Sequence, residues 1–512
     1  MGARLSIIAE IAEETAAQGH RGLAGEACSL ADALAEAKRA RESGQEVTWR
    51  VAIGPRSVYA IEAVHRTAFE AGIKVRFVTP APLDVAERVF FEDYVRYRLP
   101  APLSERLARF GAEWTAAGGE ALSAATSLVL PGGAPPLALE RLNSVVIIGA
   151  YGGDHIGDAA ILGGTLMGLN RRYGVTRATV MSGRPEHTRR LAEGIATPVS
   201  VNIAPYRARA VQRALAGADA LVLGGGPLYG SPRVLARHLA AISWARKLGL
   251  PFIVERIGMS RFGDPLTRWA GRHILRSAAR ISVRTSGSAR HPLLEGLNVE
   301  VGRDPAFDYL AGREVLDRLP SNDAAKVESL LSGAEDSLKI GINLRATHDD
   351  WHDLSDLSQD TVDPDFMQKL GQGLIAFARR SRRPVTYVYF PMNAIQLGMS
   401  DLSAAYELRR AVRGAIDLRV WEADPSLDGV IHLLRRLDAA VAMRFHGAVF
   451  ALTQNVPLIG LDYFAGGGKV SELLTDLGRP DDACEVGRFS PDWLVERLTV
   501  RSRGTESRVG AL

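Results

Sequence analysis

Asp438–Val470 reads DAAVAMRFHGAVFALTQNVPLIGLDYFAGGGKV. Its first apolar run, Ala439 to Met443, has the unbroken character of a strand buried on both faces of a parallel sheet. Arg444, Phe445, His446 and Gly447 follow, where the strand gives way to a helix over about Ala448 to Gln454. Pro457 to Leu461 reads as the next strand, and Lys469 comes after Gly466, Gly467 and Gly468. An Arg, a His and a Lys thus fall at or near the C-terminal ends of neighbouring strands, the edge where open α/β sheets bind ligands. A helix start there also offers backbone N–H groups to an anion. Two fixed cations and a titratable imidazole suit a small ligand with several negative charges.

Upstream, strands and helices alternate in two series. The first opens at Val145, Val146, Ile147 and Ile148, followed by the turn from Gly149 to Asp158 and a helix from Ala159 to about Asn170. Strand, glycine-rich turn and helix are the layout of a phosphate cradle. The spacing matches neither G-x-G-x-x-G nor a P-loop, and a tight turn alone would also explain the glycines. Further strands are expected at Ala178–Ser182, Ala220–Leu223, Phe252–Arg256 and Arg280–Arg284, with Gly224, Gly225 and Gly226 directly after one of them. Ser286 is placed to cap the next helix. The second series has strands at Lys339–Leu344, Val385–Phe390 and near Leu418, with helices at Phe366–Arg380, Ser403–Arg413 and Ser426–Arg436. Such alternation predicts an α/β fold of two facing, Rossmann-like, doubly wound domains, over 142–312 and 335–500. Residues 1–135 form an extra N-terminal module, α/β or helical. Helices are expected up to residue 46, then strand Val47–Ile53, helix Val58–Ala71 and strand Lys74–Val78; Pro131–Pro136 reads as a linker. Helix Pro491–Thr499 closes the fold, and 501–512 reads as a polar, disordered tail.

The bulk numbers fit a soluble globular chain. It has 512 residues, enough for two or three cored domains, with 46% apolar and 23% charged residues. A net charge of +4 suits an acidic substrate or an anionic membrane surface, and falls short of a nucleic-acid footprint. Cys28 and Cys484 are the only cysteines, so a disulfide framework and a cysteine-rich metal site are excluded. A reducing, cytoplasmic setting is expected, with the inner membrane surface as a further place of work. No apolar run reaches the ~18 residues that span a bilayer. The start MGARLS matches the short myristoylation pattern, which so loose a pattern does by chance.

Taken in order, Gly149 to Leu162, Leu223 to Leu228, Ile281 to Ser286, Asp304 to Phe307, Met443 to Gly447 and Val456 to Leu477 resemble the polysaccharide pyruvyl transferase family. Its glycine turn with I-G-D, its G-G-G turn, V-R-x-x-S, D-P-A-F, M-R-x-H and V-P-L-I-G all have counterparts here. The resemblance implies two facing Rossmann domains of the GT-B-like kind. It also implies transfer of the enolpyruvyl group of phosphoenolpyruvate onto sugar hydroxyls, giving a pyruvate ketal on a cell-surface glycan. On the same ground Arg284, His446 and Lys469 are the donor-binding trio, with His446 catalytic. The sequence departs from the family pattern at His155, where Asn is usual before I-G-D, and at Thr285, where Asp is usual after V-R. These departures bear on the acceptor more than on the donor.

The residue types suit that chemistry. Arg binds a carboxylate or phosphate through paired hydrogen bonds, and Lys adds a point charge. His moves protons near neutral pH. Arg444, Gly224, Gly225 and Gly226 join the donor candidates; the alternative for Arg444 is a structural pair with Asp438 or Asp462. Gly152, Gly153, Asp154, His155, Asp158, Asn343, Arg345 and His348 are the acceptor or loop candidates. His155 with Asp154 and Asp158, or His348 with Asp349, Asp350 and His352, lack the spacing of a metal motif. No metal or cofactor is expected, with phosphoenolpyruvate as donor substrate. Expected partners are that small donor and a sugar or glycan acceptor, without nucleic acid, and a homo-oligomer stays open. The competing readings are a nucleotide-sugar glycosyltransferase of the same shape and a non-catalytic binding or assembly protein.

Overall fold

The computed structural model describes residues 141–509 except 153–154, 261, 263–264, 312–318, 346–364, 394–400, 424 and 464–467, together with three N-terminal strands and residues 39 and 68. The N-terminal strands β1 (Arg4–Glu10), β2 (Glu46–Ala52) and β3 (Lys74–Val78) pair in parallel in that order. Strand β1 corrects the helical expectation for the first residues. Ile7 and Ile8, which favour extended backbone, pair with Trp49 and Arg50 instead of starting a helix. Most of the expected helices of 1–135 lie outside the described residues.

The first large sheet contains β4 (Ser144–Ile148), β5 (Arg177–Ser182), β6 (Ser200–Pro205), β7 (Ala220–Leu223), β8 (Pro227–Leu228), β9 (Phe252–Met259), β10 (Arg280–Val283) and β11 (Glu300–Val301). Its order is β11-β10-β9-β7-β4-β5-β6, with β8 beside β9. The second contains β12 (Leu338–Asn343), β13 (Val385–Tyr389), β14 (Asp417–Val420), β15 (Ala439–Ala442), β16 (Leu458–Asp462) and β17 (Ala483–Glu485), in the order β14-β13-β12-β15-β16-β17. The strand pairings are parallel throughout both sheets. Each sheet starts in its middle, so the winding reverses between β4 and β7 and between β12 and β15. A crevice opens at such a reversal, beyond the carboxyl ends of the strands. The two-domain α/β architecture expected from the sequence is therefore present.

The central strands β4, β7 and β15 are wholly apolar or nearly so, and buried. The unexpected strands β6, β11 and β17 are sheet edges, short or with exposed positions, and they lack an unbroken apolar run. Helices also start earlier than expected. Helix Ile156–Tyr173 begins directly after His155, and helix Phe445–Thr453 directly after Arg444. Thr285, not Ser286, caps helix Ser286–Ala289, its Oγ1 accepting from the Ser288 N–H at 3.0 Å. The expected tail is helical through Val509, anchored where Arg501 pairs with buried Asp482.

Candidate active site

The glycine-rich turn after β4 and the Gly224–Gly226 turn after β7 lie against each other at the first reversal. The Ala150 N–H donates to the Gly225 carbonyl at 3.0 Å. A Cβ on Gly149 would fall 1.8 Å from the Gly224 carbonyl oxygen, and one on Gly225, at φ +81°, would fall 2.2 Å from the Tyr151 ring. This close approach requires the missing side chains at these positions. Gly153 and Asp154 lie outside the described residues.

His155 is the N-cap of the helix that follows. Its Nδ1 accepts from the Gly157 N–H at 2.9 Å, which leaves any ring proton on Nε2. Asn, the usual family residue, would cap the helix in the same way. Burial, then His446, Arg444 and Arg345, hold the His155 pKa well below its ordinary value, so the ring is neutral near pH 7. Its edge meets the His446 ring at a centroid distance of 5.2 Å.

The two domains meet through these residues. The Ile156 N–H, in the first domain, donates to the Met392 carbonyl, in the second, at 3.1 Å. Arg284, directly after β10, donates from Nη1 to Asp304 Oδ2 at 2.8 Å. From the second domain, His446 brings Nε2 to 3.7 Å from the same oxygen. All three residues are buried, and Phe445 lies under the Arg284 guanidinium at 4.5 Å. Burial alone would raise the Asp304 carboxyl; His446 and Arg284 pull it down to about 2, so it is anionic over the whole working range. Burial lowers the His446 pKa, and Asp304 opposes that shift. In the sequence Asp304 stood out only as the first residue of the D-P-A-F stretch, with no role assigned to it. Its side chain caps helix Pro305–Leu310 through the Ala306 N–H at 2.9 Å, which is what the local sequence encodes.

Lys469 is the first residue of helix Lys469–Asp476, within electrostatic reach of Arg284 and Arg345. Gly466 and Gly467 before it lie outside the described residues. The same helix docks on the first domain. Thr285 Oγ1 lies 3.2 Å from Glu472 Oε2, and Ser286 hydrogen-bonds to Asp476. An Asp at 285 would set two carboxylates against each other here, where Thr285 instead donates to Glu472.

Other candidates are placed differently. Arg444 pairs with a carboxylate that the sequence did not single out. Its Nε donates to Asp401 Oδ1 at 2.7 Å, and both side chains are buried. The two alternatives expected for it serve elsewhere: Asp438 accepts from the Lys339 N–H, and Asp462 accepts from Gly468, Val470 and Ser471 N–H groups. Asn343 is fully buried and donates from Nδ2 to the Phe390 carbonyl at 2.9 Å, which ties β12 to the end of β13. Arg345 stacks on Tyr463, its Cζ 4.1 Å from the ring centroid. Asp158 and Arg345 both reach Tyr229, which is 38% exposed and was not a sequence candidate. Gly152, at φ +99°, belongs to the turn. His348 and its neighbours lie outside the described residues, and among the described residues no cluster of three ligating side chains could hold a metal ion.

A family model described as "Polysaccharide pyruvyl transferase" matches residues 155–463. The chain belongs to that family. In this transferase the match starts on the capping histidine and ends on Tyr463, so Lys469 lies just beyond it. No curated relative matches the chain. Among solved structures it is similar to the UDP-GlcNAc 2-epimerase of Neisseria meningitidis, at 9% identity and a TM-score of 0.43, over 70% of this chain and 99% of that one. The E. coli ADP-heptose LPS heptosyltransferase II is similar at 14% identity and a TM-score of 0.39, over 71% and 99%. Resemblances this distant do not transmit a substrate or a reaction. No described helix is long and apolar enough to cross a membrane.

Gly157 packs against His446 across the domain boundary. A Cβ there would sit 2.3 Å from His446 Cγ and Nδ1. Gly157→Ala is expected to displace the imidazole and cost about 1–3 kcal/mol of stability. Turnover should fall at least about tenfold, since small misplacements of a reacting group are costly. Unchanged turnover and melting temperature would show that the His446 position does not depend on this contact.

Proposed function

We propose that this transferase moves the pyruvyl group of phosphoenolpyruvate onto two hydroxyls of a sugar or glycan acceptor, forming a pyruvate ketal and releasing phosphate. The observation that carries the reading is the meeting of Arg284 from one domain and His446 from the other at the buried Asp304 carboxylate, 2.8 and 3.7 Å away. Lys469 and Arg345 complete a cationic surround. Asp304 takes one of the five N–H donors of Arg284, which leaves others for a donor carboxylate or phosphate.

In the proposed reaction the methylene carbon of phosphoenolpyruvate takes a proton and becomes a methyl group. An acceptor hydroxyl adds to C2 as it becomes cation-like. The C2–O bond to phosphate breaks, and a second hydroxyl closes the ketal. Two hydroxyl protons are lost overall, one ending on the methyl carbon and one on the released phosphate. His446 is the group suited to carry the proton, with Asp304 stabilising the imidazolium as it forms. Arg284 and Lys469 hold the donor and draw charge toward the leaving phosphate.

The deciding experiment is incubation of purified protein with phosphoenolpyruvate and candidate glycans, with mass detection of the added pyruvyl group and a phosphate assay. A glycosyl group transferred from a nucleotide sugar, with no phosphate released from phosphoenolpyruvate, would replace this reading by a glycosyltransferase.

Lys469 also gives the donor step a pH signature. Burial, then Arg284 and Arg345, pull its pKa down to about 7. The amine is protonated below that value and attracts the donor; above it the charge is lost. A bound anion favours the charged form, so donor KM should rise with pH above about 7, by up to about tenfold per unit. Steady-state kinetics from pH 6 to 9 test this, and Lys469→Met should flatten the profile. A wild-type profile as flat as that of the variant would remove Lys469 from the donor site.

A further inference from the structure

One face of the first domain is charged in a way that the chain as a whole is not. Helices Ala208–Leu215 (ARAVQRAL), Pro232–Lys247 (PRVLARHLAAISWARK) and Pro265–Arg276 (PLTRWAGRHILR) pack side by side. Together they contain nine Arg or Lys residues and no Asp or Glu, whereas the whole chain is nearly balanced, at 62 to 58. Helix Ile156–Tyr173, by contrast, packs on helix Pro305–Leu310 and contacts helix Leu427–Leu434 of the second domain. The acid-free helices follow the connections that run the other way across the sheet, from β6 back to β7 and on to β10. With right-handed crossovers they cover the opposite face.

The last of the three helices also exposes two large apolar side chains one turn apart, Leu266 at 66% and Trp269 at 53%. Trp269 is held in place by stacking on His273, with ring centroids 5.6 Å apart and planes 19° from parallel. Arg268 and Arg276 are exposed on the same helix. Arg272 is pinned by the carbonyls of Pro292, Leu293 and Glu295, which fixes the helix on the turn that follows β10 and carries the nearby acid Glu295. Isolated exposed apolar residues are ordinary. A Leu–Trp pair set among cations on an acid-free helix has the composition of a helix lying in a membrane interface, where Trp sits at headgroup level and Arg meets anionic lipid.

We propose that helix Pro265–Arg276 docks this enzyme on an anionic lipid bilayer, with Leu266 and Trp269 entering the headgroup region and Arg268 and Arg276 contacting acidic headgroups. The inference concerns where the enzyme works and is independent of the donor it uses. Charge complementarity selects an acidic surface, and the exposed apolar pair selects lipid over a nucleic-acid backbone, which offers nothing for Leu266 to enter.

The test is co-sedimentation of the full-length protein with vesicles of phosphatidylcholine alone, or of phosphatidylcholine and phosphatidylglycerol in equal parts. Wild type should pellet with the mixed vesicles only, and raised salt should release it. Leu266→Ser with Trp269→Ser, and separately Arg268→Glu with Arg276→Glu, should each weaken binding at least about tenfold. All four side chains are exposed, so both variants should keep the wild-type circular dichroism spectrum and melting temperature. A protein that stays in the supernatant with both vesicles at low salt overturns the proposal. So does one that pellets equally well after both pairs of substitutions, or one that a DNA duplex strips from the vesicles and still binds after the Leu266 and Trp269 changes.

Discussion

His446→Ala is expected to lower kcat about 10²–10⁴-fold at saturating phosphoenolpyruvate and acceptor, the usual contribution of a general acid–base group. The size follows from what surrounds the ring. Asp304 is anionic and buried, so it stabilises an imidazolium most when the proton is in transit, not in the resting state. His446 Nε2 is buried and, among the described residues, has no hydrogen-bond partner, with Asp304 Oδ2 still 3.7 Å away. Arg284→Ala and Lys469→Ala should act differently. Each removes a charged contact made in the ground state as well, worth roughly 1.5–3 kcal/mol, and so raises donor KM about ten- to a hundredfold; Arg284→Ala also takes the ion-pair partner from buried Asp304 and should lower stability too. If His446→Ala keeps its kcat and only its donor KM rises, the ring is a binding group and the proton carrier must be sought first at His155.

The second large effect is structural. Asp401→Ala should destabilise the fold by about 3–5 kcal/mol, the usual cost of breaking a buried ion pair by removing one member. Asp401 Oδ1 holds Arg444, and Oδ2 accepts the Met392 and Asn393 N–H groups at 2.8 and 3.1 Å. Removing the carboxylate takes the ion-pair partner from Arg444 and the acceptor from two backbone donors at once. The Met392 carbonyl also receives the Ile156 N–H across the domain boundary, so the damage should reach the site. Equilibrium urea denaturation measures the loss. Asp401→Asn, which keeps an acceptor but not the charge, should fall between wild type and Asp401→Ala. A loss of stability below about 1 kcal/mol for Asp401→Ala would mean that Arg444 finds water or another acceptor, and the structural role assigned to the pair would fall.

The sequence announced the parts of this protein that depend on contiguous residues. Unbroken apolar runs marked β4, β7 and β15, and the strand end carrying Arg444 and His446 followed from the last of these. Edge strands β6 and β17 escaped because a strand paired on one side needs no continuous apolar run. Side-chain partnerships escaped for a different reason. Asp401 lies 43 residues from Arg444, and Asp304 lies 20 from Arg284 and on the other domain from His446. No periodicity encodes such distances, and each carboxylate advertised only a local turn or cap. The family resemblance supplied the trio of Arg284, His446 and Lys469 and included Asp304 in its D-P-A-F stretch, but not the part Asp304 plays in joining two of the three.

The helix starts facing the crevice have one consequence for how this protein could change. Asp462 already occupies three N–H groups at the start of helix Lys469–Asp476, and His155 occupies one at the start of helix Ile156–Tyr173. A main-chain anion cradle persists through most substitutions, because the backbone supplies its donors whatever the side chains are. At these two starts the donors are spent within the protein, so an anion arriving beside them meets guanidinium, ammonium and imidazole instead. Recognition of that kind is discrete. It is lost one residue at a time, it responds to acidity, and it can be redirected to a differently charged ligand by a few exchanges that leave the backbone as it is.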